Sequence, residues 1–177
     1  GLPIQEPIGS MIVDIGGGTT DVAVISLGGI VTSRSVRVGG DAFDAAIVNY
    51  IKNAYNLMIG ERTAEEVKMA IGSAAKLSGE SDARIRGRDL VSGLPKDLMV
   101  SPKEIRDAIE DQLVKIISAI KATLDETPPD LVADLSRTGI VLAGGGALLK
   151  GLSERLTKET GMPVRVAEDP LYSVVIG

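Results

Sequence analysis

The stretch Asp14-Ile15-Gly16-Gly17-Gly18-Thr19-Thr20-Asp21 constrains this chain more than any other. An acid sits inside an apolar run, Met11 to Ile15, and three glycines separate that run from a second one, Asp21 to Leu27. Short apolar runs bounded by glycine read as strands, and a glycine link between them reads as a hairpin. Gly28-Gly29 repeats the device before Ile30 to Val38, where Val31, Ser33, Ser35 and Arg37 alternate against Ile30, Thr32, Arg34, Val36 and Val38. A three-stranded antiparallel meander is therefore predicted for the N-terminal region.

The glycine link carries two readings. One is a tight turn whose residues need positive φ. The other is a phosphate clamp, because exposed backbone N–H groups can cradle an anion. A strand rather than a helix follows, and no Lys-Ser/Thr pair succeeds the glycines, so this is not a Walker loop. Asp14 favours the clamp, since an acid within an apolar run is unfavourable unless paired or close to a cation.

Gly39-Gly40 then releases the chain into a helix predicted to be capped by Asp41 and ended by Gly60, with Phe43, Ile47, Tyr50, Ile51 and Ala54 as its apolar face. A second helix is predicted from Thr63, with Glu66 completing a capping box and Val67, Ala70, Ile71 and Ala74 as its stripe. Glu65, Lys68 and Gly72 fall on the opposite face. They read either as a solvated ion pair or as a grip on a ribose and base, with Gly72 allowing close approach.

Ser78 to Val100 is polar and contains glycine, with short strands predicted at Arg84 to Arg88 and Leu98 to Val100. Arg84, Arg86 and Arg88 share one strand face, which reads as an anion site or, more commonly for a charge run, as a solvated face. Ser101-Pro102-Lys103-Glu104 predicts a helix start with proline first. Its stripe runs from Ile105 through Ile109, Leu113, Ile116 and Ile120 to Leu124 and stops at Thr127-Pro128-Pro129. A strand at Ile140 to Ala143, Gly144-Gly145-Gly146, a helix through Leu152 and Leu156 ended by Gly161, and a strand at Val164 to Val166 complete the pattern. Gly144, Gly145, Gly146, Ala147 and Leu148 lie between strand and helix, where amides at a positive helix end can face a phosphate or ribose. A plain tight turn is the other reading. The pattern as a whole predicts an α/β fold, a mixed five-stranded sheet flanked by helices with a small α+β insertion.

Composition removes several chemistries. With no Cys and no His there are no disulfides, thiolate or imidazole metal ligands, or Ser-His-Asp hydrolases, while an oxygen-liganded cation such as Mg²⁺ remains open. A net charge of −5 and only four aromatic residues argue against a nucleic-acid partner. No apolar run approaches a membrane span, so membrane contact is expected to be made elsewhere.

In kind and order, the phosphate hairpin, the Glu-x-x-Lys helix and the late glycine triplet resemble the actin superfamily. At finer grain, Val13 to Thr20, Val38 to Asp41, Ile59 to Glu65 and Leu142 to Leu149 resemble the MreB/Mbl family of bacterial actins. Sugar kinases and heat-shock chaperones share the glycine motifs, but Ile59 to Glu65 and Thr127-Pro128-Pro129-Asp130-Leu131 point to MreB/Mbl. The resemblance implies a ribonuclease H-like subdomain at residues 1–40 and 101–177, with residues 41–100 inserted as a smaller one.

It also implies ATP or GTP with Mg²⁺ as cofactors. Asp14 would hold the Mg²⁺ and its water shell, and Gly16, Gly17, Gly18, Thr19 and Thr20 would form the second phosphate loop. Glu65, Lys68 and Gly72 would meet ribose and adenine, and Gly144 to Leu148 the adenosine. The family's members polymerise into membrane-associated filaments at the inner face of the cell membrane, in the cytoplasm, and direct cell shape and cell-wall synthesis. Expected partners are further copies of the chain, a RodZ-like membrane-protein tail and the cell-wall synthesis machinery. The first phosphate hairpin, the carboxylate that activates water and the membrane-inserting element belong to the family's other half. From its opening at Gly1-Leu2-Pro3 and its end at Gly177 the chain is expected to be an excised piece. Three alternatives stay open: half of an actin-fold sugar or acetate kinase, half of a chaperone ATPase, or a stand-alone interaction module.

Overall fold

The computed structural model describes residues 9–167. β1 (Ser10–Ile15), β2 (Thr20–Ser26) and β3 (Gly29–Val36) form the predicted meander. α1 (Gly40–Tyr55), β4 (Leu57–Met58), α2 (Glu61–Ile71), β5 (Ala83–Asp89) and β6 (Pro95–Val100) follow. The long α3 (Pro102–Asp125) leads to α4 (Pro129–Thr138), β7 (Ile140–Ala143), a single 3₁₀ turn (Gly145–Leu148), α5 (Leu152–Thr160) and β8 (Val164–Val166).

The strands make two sheets. The larger has the order β3-β2-β1-β7-β8, and the smaller β4-β5-β6. β1 is the central strand, antiparallel to β2 and parallel to β7, so the predicted mixed five-stranded sheet is what forms. Its alternation explains its place: Met11, Val13 and Ile15 are fully buried on one face, while Ile12 and Asp14 are half-buried on the other. α3 presents Ile105, Ile109, Leu113, Ile116 and Ile120 to the core with no exposure at all. Each such side chain contributes about 1.5–3 kcal/mol relative to staying in water.

Helix ends depart from the sequence reading in instructive ways. Asp41 does not cap α1, because Gly39 occupies that position and Asp41 lies in the first turn. The hairpin supplies the cap from its main chain: Gly40 N–H donates to the Gly16 carbonyl and Asp41 N–H to the Gly17 carbonyl, both at 2.9 Å. α1 ends at Asn56, which takes the left-handed conformation (φ 52°), and Gly60 instead caps the start of α2. Thr63 therefore sits inside α2 and makes no capping box, and Ala70 is exposed while Ala64 and Val67 are buried. A reciprocal box does form at Ser101: Glu104 N–H donates to Ser101 Oγ at 3.2 Å, and Ser101 N–H to Glu104 Oε2 at 2.8 Å. α4 was hidden by Pro128-Pro129, which stops α3 and also serves as a helix start, Pro129 standing at the first helical position.

Candidate functional site

The cleft is built around the C-terminal end of β1. Gly16 N–H donates to Thr19 O at 2.9 Å and closes the hairpin turn. Among the described residues, the N–H groups of Gly17, Gly18 and Thr19 have no backbone partner, which leaves a short row of free donors. The hairpin packs directly against the start of α1, where a Cβ on Gly39 would stand 2.3 Å from Gly16 O.

The second glycine corner presses on the same strand. Gly144 has a positive φ of 81°, and a Cβ there would lie 2.4 Å from both Asp14 Oδ1 and Ile15 O. A Cβ on Gly146 would meet Ile15 Cγ2 at 2.2 Å. Both glycine corners thus converge on the last two residues of β1.

α2 closes the third side. Lys68 Nζ lies 2.7 Å from Asp44 Oδ1 on α1 and donates to Gly40 O at 3.3 Å. Its approach to Asp44 is off the hydrogen-bonding angle, so that contact is an ion pair rather than an aligned hydrogen bond. Beyond α2, Ala74 N–H donates to Lys150 O at 2.8 Å and Lys150 Nζ to Ala70 O at 2.9 Å, stitching this wall to the second glycine corner. Behind it, Arg155 takes Glu110 in a two-point contact at 2.7 and 3.0 Å and reaches Ala74 O at 3.2 Å.

Together these elements enclose a cleft of about 460 Å³. Of the residues singled out in the sequence, Gly16, Gly17, Glu65, Lys68, Gly72, Gly145, Gly146 and Leu148 line it. Gly18 and Thr19 are exposed on the hairpin beside it. Gly144 and Ala147 shape the corner from behind, Ala147 being buried. Thr20 is not presented to the cleft: it is fully buried and its hydroxyl donates to Val38 O at 2.7 Å. The Glu65–Lys68 ion pair does not form, because Lys68 turns to Asp44 instead. Sequence reasoning passed over Gly40, Asp41 and Asp44 as site residues, although Val38-Gly39-Gly40-Asp41 had been noted as a motif; all three line the cleft.

Asp14 is held against its own interest. Burial, reinforced by the Asp21 carboxylate directly across the strand pair, raises its carboxyl above the ordinary 3.8. The folded state therefore binds this proton more tightly than the unfolded chain, and the contribution of Asp14 to stability falls as pH rises through the range above 3.8. Asp14→Asn is expected to be more stable than the parent at neutral pH, with the advantage fading as pH drops into the ordinary carboxylate range. Thermal melts of both proteins from about pH 3 to pH 8 check this, and a parent that gains stability relative to the variant on going to neutral pH would refute it.

A five-stranded mixed sheet with two glycine corners meeting at the end of its central strand, and a smaller sheet in the same chain, defines an actin-like fold. Solved structures agree. MreB5 of Spiroplasma citri bound to ADP superposes with a TM-score of 0.96 at 44% identity over 99% of this chain and 53% of that one. The MamK double helical filament matches at 0.76 and 26% identity, over 92% of this chain and 50% of that one. The chain belongs to the MreB/Mbl family, whose model, MreB/Mbl protein, matches residues 1–177. Cell shape-determining protein MreB of Escherichia coli K12 is 51% identical over the whole chain and 51% of its own length. Cell shape-determining protein Mbl of Bacillus subtilis 168 is 49% identical over the whole chain and 53% of its own length. The chain thus spans about half the length of these relatives.

Proposed function

We propose that this chain forms one wall of a nucleotide site in an MreB-like bacterial actin that assembles into ATP-dependent filaments governing cell shape. One observation carries the reading: Gly16 and Gly17 of the hairpin, the Lys68 helix and the second glycine corner line a single cleft. The relative solved with ADP, and another structure of MreB5 bound to AMPPNP, support a nucleoside di- or triphosphate as the occupant, with ATP or GTP as candidates. In this reading the amides of Gly17, Gly18 and Thr19 take the phosphates, Glu65 and Lys68 the ribose and base, and Gly145 to Leu148 the adenosine.

Among the described residues there is no group of three or more acids that could hold a metal. Asp14, whose carboxyl stands across the strand pair from that of Asp21, is the residue that would hold Mg²⁺ by way of its water shell. When bound, the ion would neutralise phosphate charge. Asp14 would orient its water shell.

We read the sequence around the larger sheet, residues 1–40 and 101–177, as the ribonuclease H-like subdomain, and residues 41–100 as its insertion. Self-association into filaments fits the MamK double helical filament. No helix among the described residues is long and apolar enough to cross a membrane. Association with the inner face of the cell membrane would come through the rest of the protein or a RodZ-like tail, alongside the cell-wall machinery.

The test is an ¹⁵N NMR titration of the chain with Mg-ATP. Saturable shifts are expected at Gly16, Gly17, Gly145 and Gly146, with weak affinity and no ATP turnover above background, because one wall supplies only part of the clamp and no activated water. Shifts confined to other surfaces would overturn the reading. Turnover comparable to that of intact relatives would overturn its incomplete-clamp part.

A further inference from the structure

Asp44 has no role in the reading above, yet its placement is unusual. It lies on the core side of α1 between Phe43 and Ile47 and is only 8% exposed. A carboxylate is strongly disfavoured in such a position unless a partner compensates it. The partner is Lys68, itself nearly buried, which bypasses exposed Glu65 on its own helix and crosses to α1.

Resting on the nucleotide reading, we infer that Asp44 is a positioning residue that acts through Lys68 and fixes which end of a nucleotide the cleft accepts at α2. An ammonium group has three donors. In Lys68 one goes to Gly40 O while the Asp44 carboxylate holds the charge from the side, which leaves donor capacity for the cleft that Lys68 lines. Free, the four-carbon stem would wander over many rotamers, and ordering it would weaken binding. Asp44 removes that loss in advance.

Charge also selects between the two ends of a nucleotide. Close to the Asp44 carboxylate, the Lys68 ammonium is compensated and offers a hydrogen bond with little net attraction for anions. It therefore suits a neutral acceptor, a ribose hydroxyl or a ring nitrogen, and leaves phosphate to the amides of the hairpin. Gly40 joins the two ends: its carbonyl accepts from Lys68 while its N–H donates to Gly16 O in the hairpin.

Loss of the Asp44 charge should move two ligands in opposite directions, which structural damage would not do. Adenosine and inorganic tripolyphosphate are titrated separately, by NMR, into the full chain, Asp44→Asn, Lys68→Met and the double variant. Asp44→Asn is expected to lose about tenfold in adenosine affinity, the size of one charge-assisted hydrogen bond, and to gain affinity for tripolyphosphate through the uncompensated ammonium. Lys68→Met should lose adenosine affinity as well, and adding Asp44→Asn to it should cause no further loss. Should Asp44→Asn not fold, Asp44→Glu carries the test. It keeps the charge but displaces it by a methylene, so adenosine affinity should fall while tripolyphosphate affinity stays at the parent value. Equal weakening of both ligands, or no change in either, overturns the role of Asp44 and leaves the nucleotide reading standing. A parent chain that binds neither ligand removes both.

Discussion

Gly144→Ala is expected to lower the stability of the chain by about 3–4 kcal/mol, the sum of left-handed backbone strain and overpacking. Two independent faults meet at this position. The backbone has a φ of 81°, which an L side chain rarely adopts, and the space for a Cβ is filled by Asp14 Oδ1 and Ile15 O at 2.4 Å. One of the obstructing atoms is main chain of the central strand, so relief requires moving β1 itself. For a chain of this length the melting temperature should fall by about 10 °C. Gly18→Ala is the control, since nothing lies within 4 Å of its Cβ position and its φ is not left-handed. That variant should stay within about 0.5 kcal/mol of the parent. Equal effects of the two substitutions in thermal melts would show that the second corner is not packed as described.

Phe43→Ala is expected to destabilise by about 3–5 kcal/mol, the usual range for emptying a buried phenylalanine site. Phe43 is 2% exposed and is the only phenylalanine in the chain. It borders the cleft on one side and belongs to the main hydrophobic core on the other. Its loss therefore opens a void next to the start of α1, where Gly40 and Asp41 hold the hairpin. Phe43→Leu should recover most of the stability, because much of the buried apolar volume is retained. In urea titrations the midpoint should fall with an unchanged slope; a Phe43→Ala midpoint within error of the parent would refute the packing.

Strands were legible in the sequence because their signals are local. Apolar runs cut by Gly16-Gly17-Gly18 and Gly28-Gly29 leave few alternatives to a meander, and the alternation of Thr32, Arg34 and Val36 against Val31, Ser33 and Ser35 matches the burial of β3, whereas Ile30 of the same set is exposed where the pairing with β2 is irregular. Helix boundaries were less legible, since tertiary contacts decide them. No side chain announces that the carbonyls of Gly16 and Gly17 cap α1, or that Asn56 takes the left-handed conformation ahead of Gly60. β4 has only two residues and no pattern of its own; it exists through its pairing with Arg88 and Asp89. Pro128-Pro129 carries a stop and a start at once, and only the stop was read.

For the cleft, the glycines and the Glu-x-x-Lys spacing were visible, while the partner of Lys68 was not. Asp44 stands twenty-four positions earlier on a different helix, and ion pairs of that kind have no sequence period. Thr20 shows the opposite failure. A hydroxyl next to a glycine run suggests a ligand contact, yet here it secures Val38.

Because β1 alternates with a period of two, sliding it by a single residue against β2 and β7 would turn Asp14 to the packed side and drive Ile15 out. The same slip would pull the hairpin out of line with the later glycine corner. Zipping the central strand into register and assembling the recess are consequently one event. Amide protons of β1 and the hydrogen-bonded ones at the two corners, those of Gly16, Gly40 and Ala147, should exchange with solvent at a common, slow rate, with no long-lived species that is folded but lacks the recess.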